Sequence, residues 1–210
     1  MNTDNTAQDN ADTSRLRSRL REARAGLSPD ERDRGSLLMR GRLYTWLGLA
    51  RDAAGRAGRP GPQSVAAFWP LADEPDLRPL LAQWAQAGIT VALPVVAARH
   101  APLEFRRWTP ETAMQAGAHG IAEPRDAEPV LPDVVLVPTL GYTDRADRMG
   151  YGAGYYDRTL AALRERGHPH TTIGIAWQCG RIDDPGYRPA AHDMALDAVL
   201  TPAGWVPAAP

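Results

Sequence analysis

Apolar and polar positions along this chain follow two different periods, and the change of period divides it. From Ser14, Leu16, Leu20, Ala23 and Leu27 recur at helical spacing and predict a first helix with that face turned inward. Arg17, Arg21 and Arg24 recur on another face, which read alone is a solvated basic face. Ser28-Pro29-Asp30-Glu31 combines an N-cap, a proline at the first helical position and a capping-box glutamate. A second helix therefore starts at Pro29 and runs towards Leu49. The Gly-, Pro- and Arg-rich stretch from Asp52 to Gln63 reads as an exposed loop within one domain.

Beyond that loop the pattern becomes alternating strand and helix. Strands are expected at Ser64–Trp69, Ile89–Val96 and, nearer a sheet edge, Leu103–Trp108, with a helix at Asp76–Ala87 ending at Gly88. Prolines at 124, 129 and 132 make 117–132 a loop. Val134-Val135-Leu136-Val137 is continuously apolar, as suits a parallel strand covered on both faces. A glycine-punctuated loop leads into a helix carrying Tyr156, Leu160 and Leu163 on one face, with Gly167 and Pro169 as stop signals. Strands at Thr171–Trp177 and Ala198–Thr201 close the series. This alternation predicts a three-layer α/β/α fold with a mostly parallel central sheet and helices on both faces.

With 210 residues, the chain is long enough for one sizeable core, expected here as a single domain over residues 14–206. Residues 1–13 lack apolar side chains that would offset ordering entropy, so a disordered tail is expected there. A net charge of −1 provides no overall field to recruit nucleic acid or a membrane. The Arg-rich stretch from Arg15 to Arg59 lacks any nucleic-acid recognition motif. No apolar run is long enough to span a bilayer and no secretory signal opens the chain, so the cytoplasm is the expected location. Cys179, the single cysteine, reads as a small buried hydrophobe.

All 24 basic residues are arginines. Without lysine there is no Schiff-base chemistry and no P-loop, so phosphate binding must use arginine forks, backbone N–H groups, helix N-termini or a metal. Those groups gather in Arg148-Met149-Gly150-Tyr151-Gly152-Ala153-Gly154-Tyr155-Tyr156-Asp157, after a buried strand and at the start of a helix. Three alternate glycines let an anion approach the main chain, and Arg148 supplies a full charge beside it. From glycine spacing alone, a turn without a ligand is an equal reading. The dinucleotide fingerprint is missed, because Tyr155 stands where Gly or Ala is required. Asp157 and Asp193 are two hard carboxylates of the kind Mg²⁺ takes together with substrate phosphates. His192 reads as structural, and His100, His119, His168 and His170 show no zinc-ligand spacing.

Val134 to Asp157 resembles the signature of the 5-formyltetrahydrofolate cyclo-ligase (methenyltetrahydrofolate synthetase) family. That signature is a hydrophobic strand, proline, a loop, Arg-Leu-Gly, alternating glycines and Gly-Tyr-Tyr-Asp. The likeness extends to Leu16-Arg17 through Leu27-Ser28-Pro29, to Phe68-Trp69-Pro70 through Glu74, and to Gly120-Ile121-Ala122-Glu123-Pro124. It continues in Ile173-Gly174-Ile175-Ala176 and in His192-Asp193 to Asp197-Ala198-Val199.

The resemblance implies conversion of 5-formyltetrahydrofolate to 5,10-methenyltetrahydrofolate with consumption of MgATP. The alternative is a non-catalytic relative that binds folate or nucleotide. It assigns ATP to Arg17, Arg148, Met149, Gly150, Tyr151, Gly152, Ala153, Gly154, Tyr155 and Tyr156. It assigns the folate to Trp69, Glu74, Tyr151 and Tyr155, and Mg²⁺ to Asp157 and Asp193. It implies a monomer or weak oligomer without nucleic-acid or membrane partners, and no protein nucleophile. Two positions usually basic in the family are Thr13 and Ala153 here, with Arg15 or Arg21 as candidate substitutes. Thr139 and Tyr142-Thr143 also depart from its pattern, and Gln178 is the nearest counterpart of the glutamine common before its final motif.

Overall fold

The computed structural model describes residues 3–184, 186–190 and 193–210. Helix α1 spans Thr3–Ala25 and α2 spans Pro29–Arg56, followed by strand β1 (Ser64–Ala66), α3 (Arg78–Gln86), β2 (Thr90–Val95) and β3 (Glu104–Trp108). A short hairpin of β4 (Met114–Ala116) and β5 (Ala122–Pro124) comes next, then β6 (Val134–Pro138) and a second small hairpin, β7 (Gly141–Tyr142) with β8 (Arg148–Met149). The chain continues through α4 (Tyr155–Glu165), β9 (Thr171–Ile175), β10 (Ala198–Thr201) and β11 (Gly204–Val206).

The central sheet has seven strands in the order β11-β10-β9-β6-β1-β2-β3. Its five inner strands pair in parallel, while β3 and β11 add antiparallel edges. Alternation along each strand sorts side chains between two cores. Val65, Val91, Leu93, Val134, Leu136 and Ile173 face one core with α2 and α3. Ala66, Ala92, Val135, Val137 and Val199 face the other, with Leu160 and Leu163 of α4. This is the expected three-layer arrangement. Cys179 packs half-buried against the first core and is unpaired with any other cysteine.

Several boundaries differ from the sequence reading. Helix α1 begins at Thr3 rather than Ser14, because no glycine or proline in 3–13 interrupts its hydrogen-bond ladder. The segment expected as a disordered tail is thus helical from Thr3, while Met1 and Asn2 lie outside the described residues. Helix α2 runs to Arg56 and takes in the first residues of the expected loop. Residues 117–132 include β5, which the prolines do not prevent because it is a short strand in a separate two-stranded sheet.

The inner face of α1 is also corrected. Leu16, Leu20 and Arg24, one turn apart in succession, are buried, while Ala23 is exposed. Leu16 and Leu20 meet Leu140, Met149 and Ile182, which seats α1 on the β7–β8 hairpin.

From β1 the chain moves to β2 on one side, whereas β6, on the other side of β1, leads to β9. The sheet therefore reverses its direction of growth between β1 and β6. Crevices beyond the carboxyl ends of strands at such a point are where open α/β sheets bind ligands.

Candidate functional site

A cavity of about 470 Å³ lies there. The segment after β1 contributes Phe68, Trp69, Leu71 and Glu74, and the loop after β8 contributes Gly150 to Gly154. Arg17 enters from α1, Arg148 from β8, and Tyr155, Tyr156 and Asp157 from the first turn of α4. Asp193 completes this side, and His119, Ile121 and Glu123 border another. His192 lies outside the described residues.

One end gathers main-chain N–H groups and a guanidinium. Gly152 and Gly154 adopt left-handed backbone with φ of 98° and 67°, as the chain turns into α4. No side chain caps α4, so its first N–H groups open on the cavity with the positive end of the helix dipole. A Cβ on Gly150 would stand 2.5 Å from Arg148 Nη1, so glycine there makes room for the guanidinium. Arg148 Nη2 donates to Asp157 Oδ1 at 2.7 Å, with both side chains largely buried. Arg148 Nε and Tyr156 Oη are buried with no hydrogen-bond partner among the described residues. Orphaned polar groups beside an uncapped helix suit an anionic ligand. Burial pushes the Tyr156 phenol far above its ordinary range, keeping it a neutral donor.

The arginine face of α1 grips this loop rather than facing only solvent. Arg17 Nε donates to Gly150 O at 3.3 Å and Arg21 Nη2 to Tyr151 O at 3.2 Å. Arg15 is instead exposed and pairs with Asp12 at 3.0 Å. Beside Ala153, Arg158 Nη2 donates to the Ala153 carbonyl at 2.7 Å, and its guanidinium lies 5.2 Å from the Tyr155 ring centre. A cation therefore stands next to a position that lacks one in its own side chain.

The other end is aromatic and acidic. Trp69 packs edge-on to Trp108 at 6.2 Å, with the Arg78 guanidinium 5.6 Å from its ring, so it is at once a core contact and a cavity wall. Glu74 is buried; its Oε2 accepts from Leu71 N–H at 2.9 Å and its Oε1 accepts from the Tyr151 hydroxyl. Burial pushes the Glu74 carboxyl above its usual range, opposed by the Tyr151 and Leu71 hydrogen bonds and by Arg24. Burial, then the Glu74 charge, pushes the Tyr151 phenol well up.

The sequence-derived candidates thus converge on one cavity, with Met149 apart. Its side chain belongs to the cluster holding α1 in place and does not line the cavity. Asp157 and Asp193 line it together; Asp193 Oδ2 accepts from Ala190 N–H at 2.8 Å. Among the described residues no group of three His, Cys, Asp or Glu is placed to hold a metal ion. Two carboxylates suit Mg²⁺, which keeps waters and takes phosphate oxygens for its other positions.

Sequence reasoning passed over Arg24 and Asp73, as well as His119. Glu123 did carry a signal, the Gly-Ile-Ala-Glu-Pro run: its carboxylate receives Gln115 Nε2 at 3.2 Å and Val96 N–H at 3.4 Å, and lies where a Cβ on Gly117 would stand. Asp197, in the closing motif, is structural, accepting from Thr172 N–H at 2.7 Å to tie β10 to β9.

Fold and cavity together define an α/β protein with a glycine loop and an uncapped helix start at the topological switch of its sheet. The sequence model of the 5-formyltetrahydrofolate cyclo-ligase family matches residues 9–202. The 5-formyltetrahydrofolate cyclo-ligase of Mycolicibacterium smegmatis is 33% identical over 151 residues, covering 67% of this chain and 74% of the relative. That of Escherichia coli K12 is 32% identical over 145 residues, covering 66% and 78%. The solved structure of Aquifex aeolicus 5,10-methenyltetrahydrofolate synthetase superposes with a TM-score of 0.75 at 25% identity, covering 92% of this chain and 91% of that one. The Mycoplasma pneumoniae 5,10-methenyltetrahydrofolate synthetase shares the fold, with a TM-score of 0.68 at 19% identity and coverage of 91% and 99%. The chain belongs to the 5-formyltetrahydrofolate cyclo-ligase family.

Proposed function

We propose that the chain converts 5-formyltetrahydrofolate to 5,10-methenyltetrahydrofolate, consuming ATP and releasing ADP and phosphate. The observation that carries this reading is the continuity of one cavity between a phosphate-type end and an aromatic, acidic end. Family membership supports the reaction, and the residues supply its physical needs.

An amide-like formyl oxygen is a poor leaving group. Transfer of the ATP γ-phosphoryl group to it makes the formyl carbon iminium-like; N10 of the folate then attacks, and phosphate departs. Catalysis is positioning plus charge neutralisation, with no protein nucleophile. Arg17, Arg148 and the N–H groups of Gly150 to Tyr156 would hold the phosphates. Trp69 and Glu74 would hold the pterin, with Glu74 accepting from its N–H groups. Tyr151 and Tyr155 stand where both substrates meet. Asp157 and Asp193 would hold Mg²⁺, whose chemistry is to offset phosphate charge. Arg148 and Asp157 neutralise one another at 2.7 Å, each beside the position proposed for the other's ligand.

We place the reaction in the cytoplasm, in a single α/β domain over residues 14–206 acting as a monomer or weak oligomer on small molecules. Near-neutral charge supports this, as does the lack of any helix among the described residues long and apolar enough to cross a membrane. The test is turnover by purified protein with and without a chelator. Equal amounts of 5-formyltetrahydrofolate lost and ADP formed, abolished by the chelator, are expected. Binding of both ligands without turnover would point instead to a non-catalytic relative.

A further inference from the structure

A buried guanidinium at the folate end, that of Arg24, lies outside the residues proposed to hold either substrate. Arg24 is 6% exposed, although it lies on a helix face that sequence pattern alone leaves in solvent. Its Nε donates to Asp73 Oδ2 at 2.8 Å, and its Nη1 donates to the Tyr151 hydroxyl. The same hydroxyl donates to Glu74 Oε1, and Arg24 Nη1 stands 3.8 Å from that oxygen. The guanidinium also lies 5.2 Å from the centre of the Tyr151 ring. One side chain of α1 thereby joins the loop after β1 to the glycine loop after β8.

We infer that Arg24 is a positioning residue that keeps Glu74 an ionised, acceptor-only group and fixes the Tyr151 hydroxyl against it, so that this end of the cavity selects a ligand edge of N–H donors. The inference rests on the proposed folate reading of the cavity. Its logic is directional. A tyrosine hydroxyl has one proton; with Arg24 donating to its oxygen, that proton goes to Glu74. Glu74 then receives Tyr151 and Leu71 N–H, and a carboxylate with about four lone-pair sites retains capacity for a ligand donor. Without Arg24 the hydroxyl is free to turn, and a carboxyl buried this deeply takes a proton more readily and becomes a donor itself.

The charged and titratable groups facing Glu74 are Arg24 from α1, Asp73 beside it in its own loop, Tyr151 from the glycine loop and Tyr156 from α4. Asp73 favours the protonated carboxyl, the Tyr151 hydrogen bond favours the carboxylate, and Arg24 is the one cation among these groups. Removing it moves ionisation of Glu74 to higher pH.

The experiment compares wild type, Arg24→Lys, Arg24→Gln, Glu74→Gln and the Arg24→Gln/Glu74→Gln pair in steady-state turnover across pH, with thermal melts as a fold check. For Arg24→Gln, KM for 5-formyltetrahydrofolate should rise about tenfold to a hundredfold, the range for losing a charge-assisted hydrogen bond, while KM for ATP stays within about twofold. The acid limb of kcat/KM for the folate should move to higher pH. Arg24→Lys should restore part of both effects. The double variant should be no worse than Glu74→Gln, because Arg24 acts through Glu74. Equal loss for both substrates, an unmoved acid limb or additive losses in the double variant would overturn the assignment. Absence of turnover in wild type would instead overturn the folate reading itself.

Discussion

The two ends of the cavity are held in opposite ways. At the aromatic end Arg24, Tyr151, Leu71 and Asp73 already form a hydrogen-bonded network around Glu74, whose carboxylate keeps capacity for a further donor. At the glycine end the helix is uncapped, and Arg148 Nε and Tyr156 Oη are buried without partners among the described residues. The closed end is preorganised, with little reorganisation left to do on binding. The open end leaves buried donors without partners among the described residues. Under the proposed function, specificity belongs to the preorganised end and charge capture to the open one.

Breaking the open end should have the largest effect. Arg148→Ala removes the cation proposed to hold phosphate and strands Asp157 in a largely buried position. Turnover should fall on the order of 10³-fold, as for arginines that stabilise phosphoryl transfer. Chemical denaturation should show a loss of about 3 kcal/mol, typical of breaking a buried ion pair. Adding Asp157→Ala should recover part of the stability and none of the activity. Recovery of activity would contradict the assigned roles.

Next is Asp157→Asn, which keeps shape and removes a charge. Turnover should fall about a hundredfold, reflecting the several kcal/mol a divalent ion contributes to charge neutralisation. The melting temperature should change little by comparison. Unchanged activity with the same Mg²⁺ dependence would remove Asp157 from the metal site.

The closed end gives a smaller, pH-dependent signature. Burial raises the Glu74 pKa, so its contribution to stability is fully present below the ordinary carboxylate range and is lost as pH rises through the raised value. Glu74→Gln abolishes that dependence. Its urea midpoint should therefore gain on that of wild type as pH rises above the ordinary carboxylate range, about pH 4. A variant that loses ground over this rise would mean that hydrogen bonds, not burial, dominate at Glu74.

The smallest effect lies outside the cavity. Ser28 caps α2 and forms a complete capping box with Glu31. Ser28→Ala should cost about 1 kcal/mol of stability and leave KM for both substrates unchanged. A change in either KM would show that the entry to α2 is coupled to the site.

Much of this was legible in the residues. The run Val134–Val137 announced a buried parallel strand, and the alternate glycines at 150, 152 and 154 pointed to main chain open to an anion, while the left-handed turns at Gly152 and Gly154 emerge only in the structure. Ser28-Pro29-Asp30-Glu31 marked the start of α2 to the residue. Arg24 was not legible as a buried residue. Periodicity shows which positions of a helix share a face, not what that face meets, and its partners Asp73 and Tyr151 arrive from two distant loops. For the same reason Ala23 was assigned inward in its place. The strand β11 also escaped, since Gly204-Trp205-Val206 is too short to show a period and is defined by pairing with β10.

The central claim is that one cavity seats nucleotide phosphates on the glycine loop beside a folate pocket. The most direct measurement is a crystal structure with a non-hydrolysable ATP analogue and Mg²⁺. The account expects phosphate oxygens within hydrogen-bond distance of Arg17, Arg148 and the N–H groups from Gly150 to Tyr156, with the ion on Asp157 and Asp193. A nucleotide bound elsewhere, with the Arg148–Asp157 pair intact and the loop empty, would contradict it.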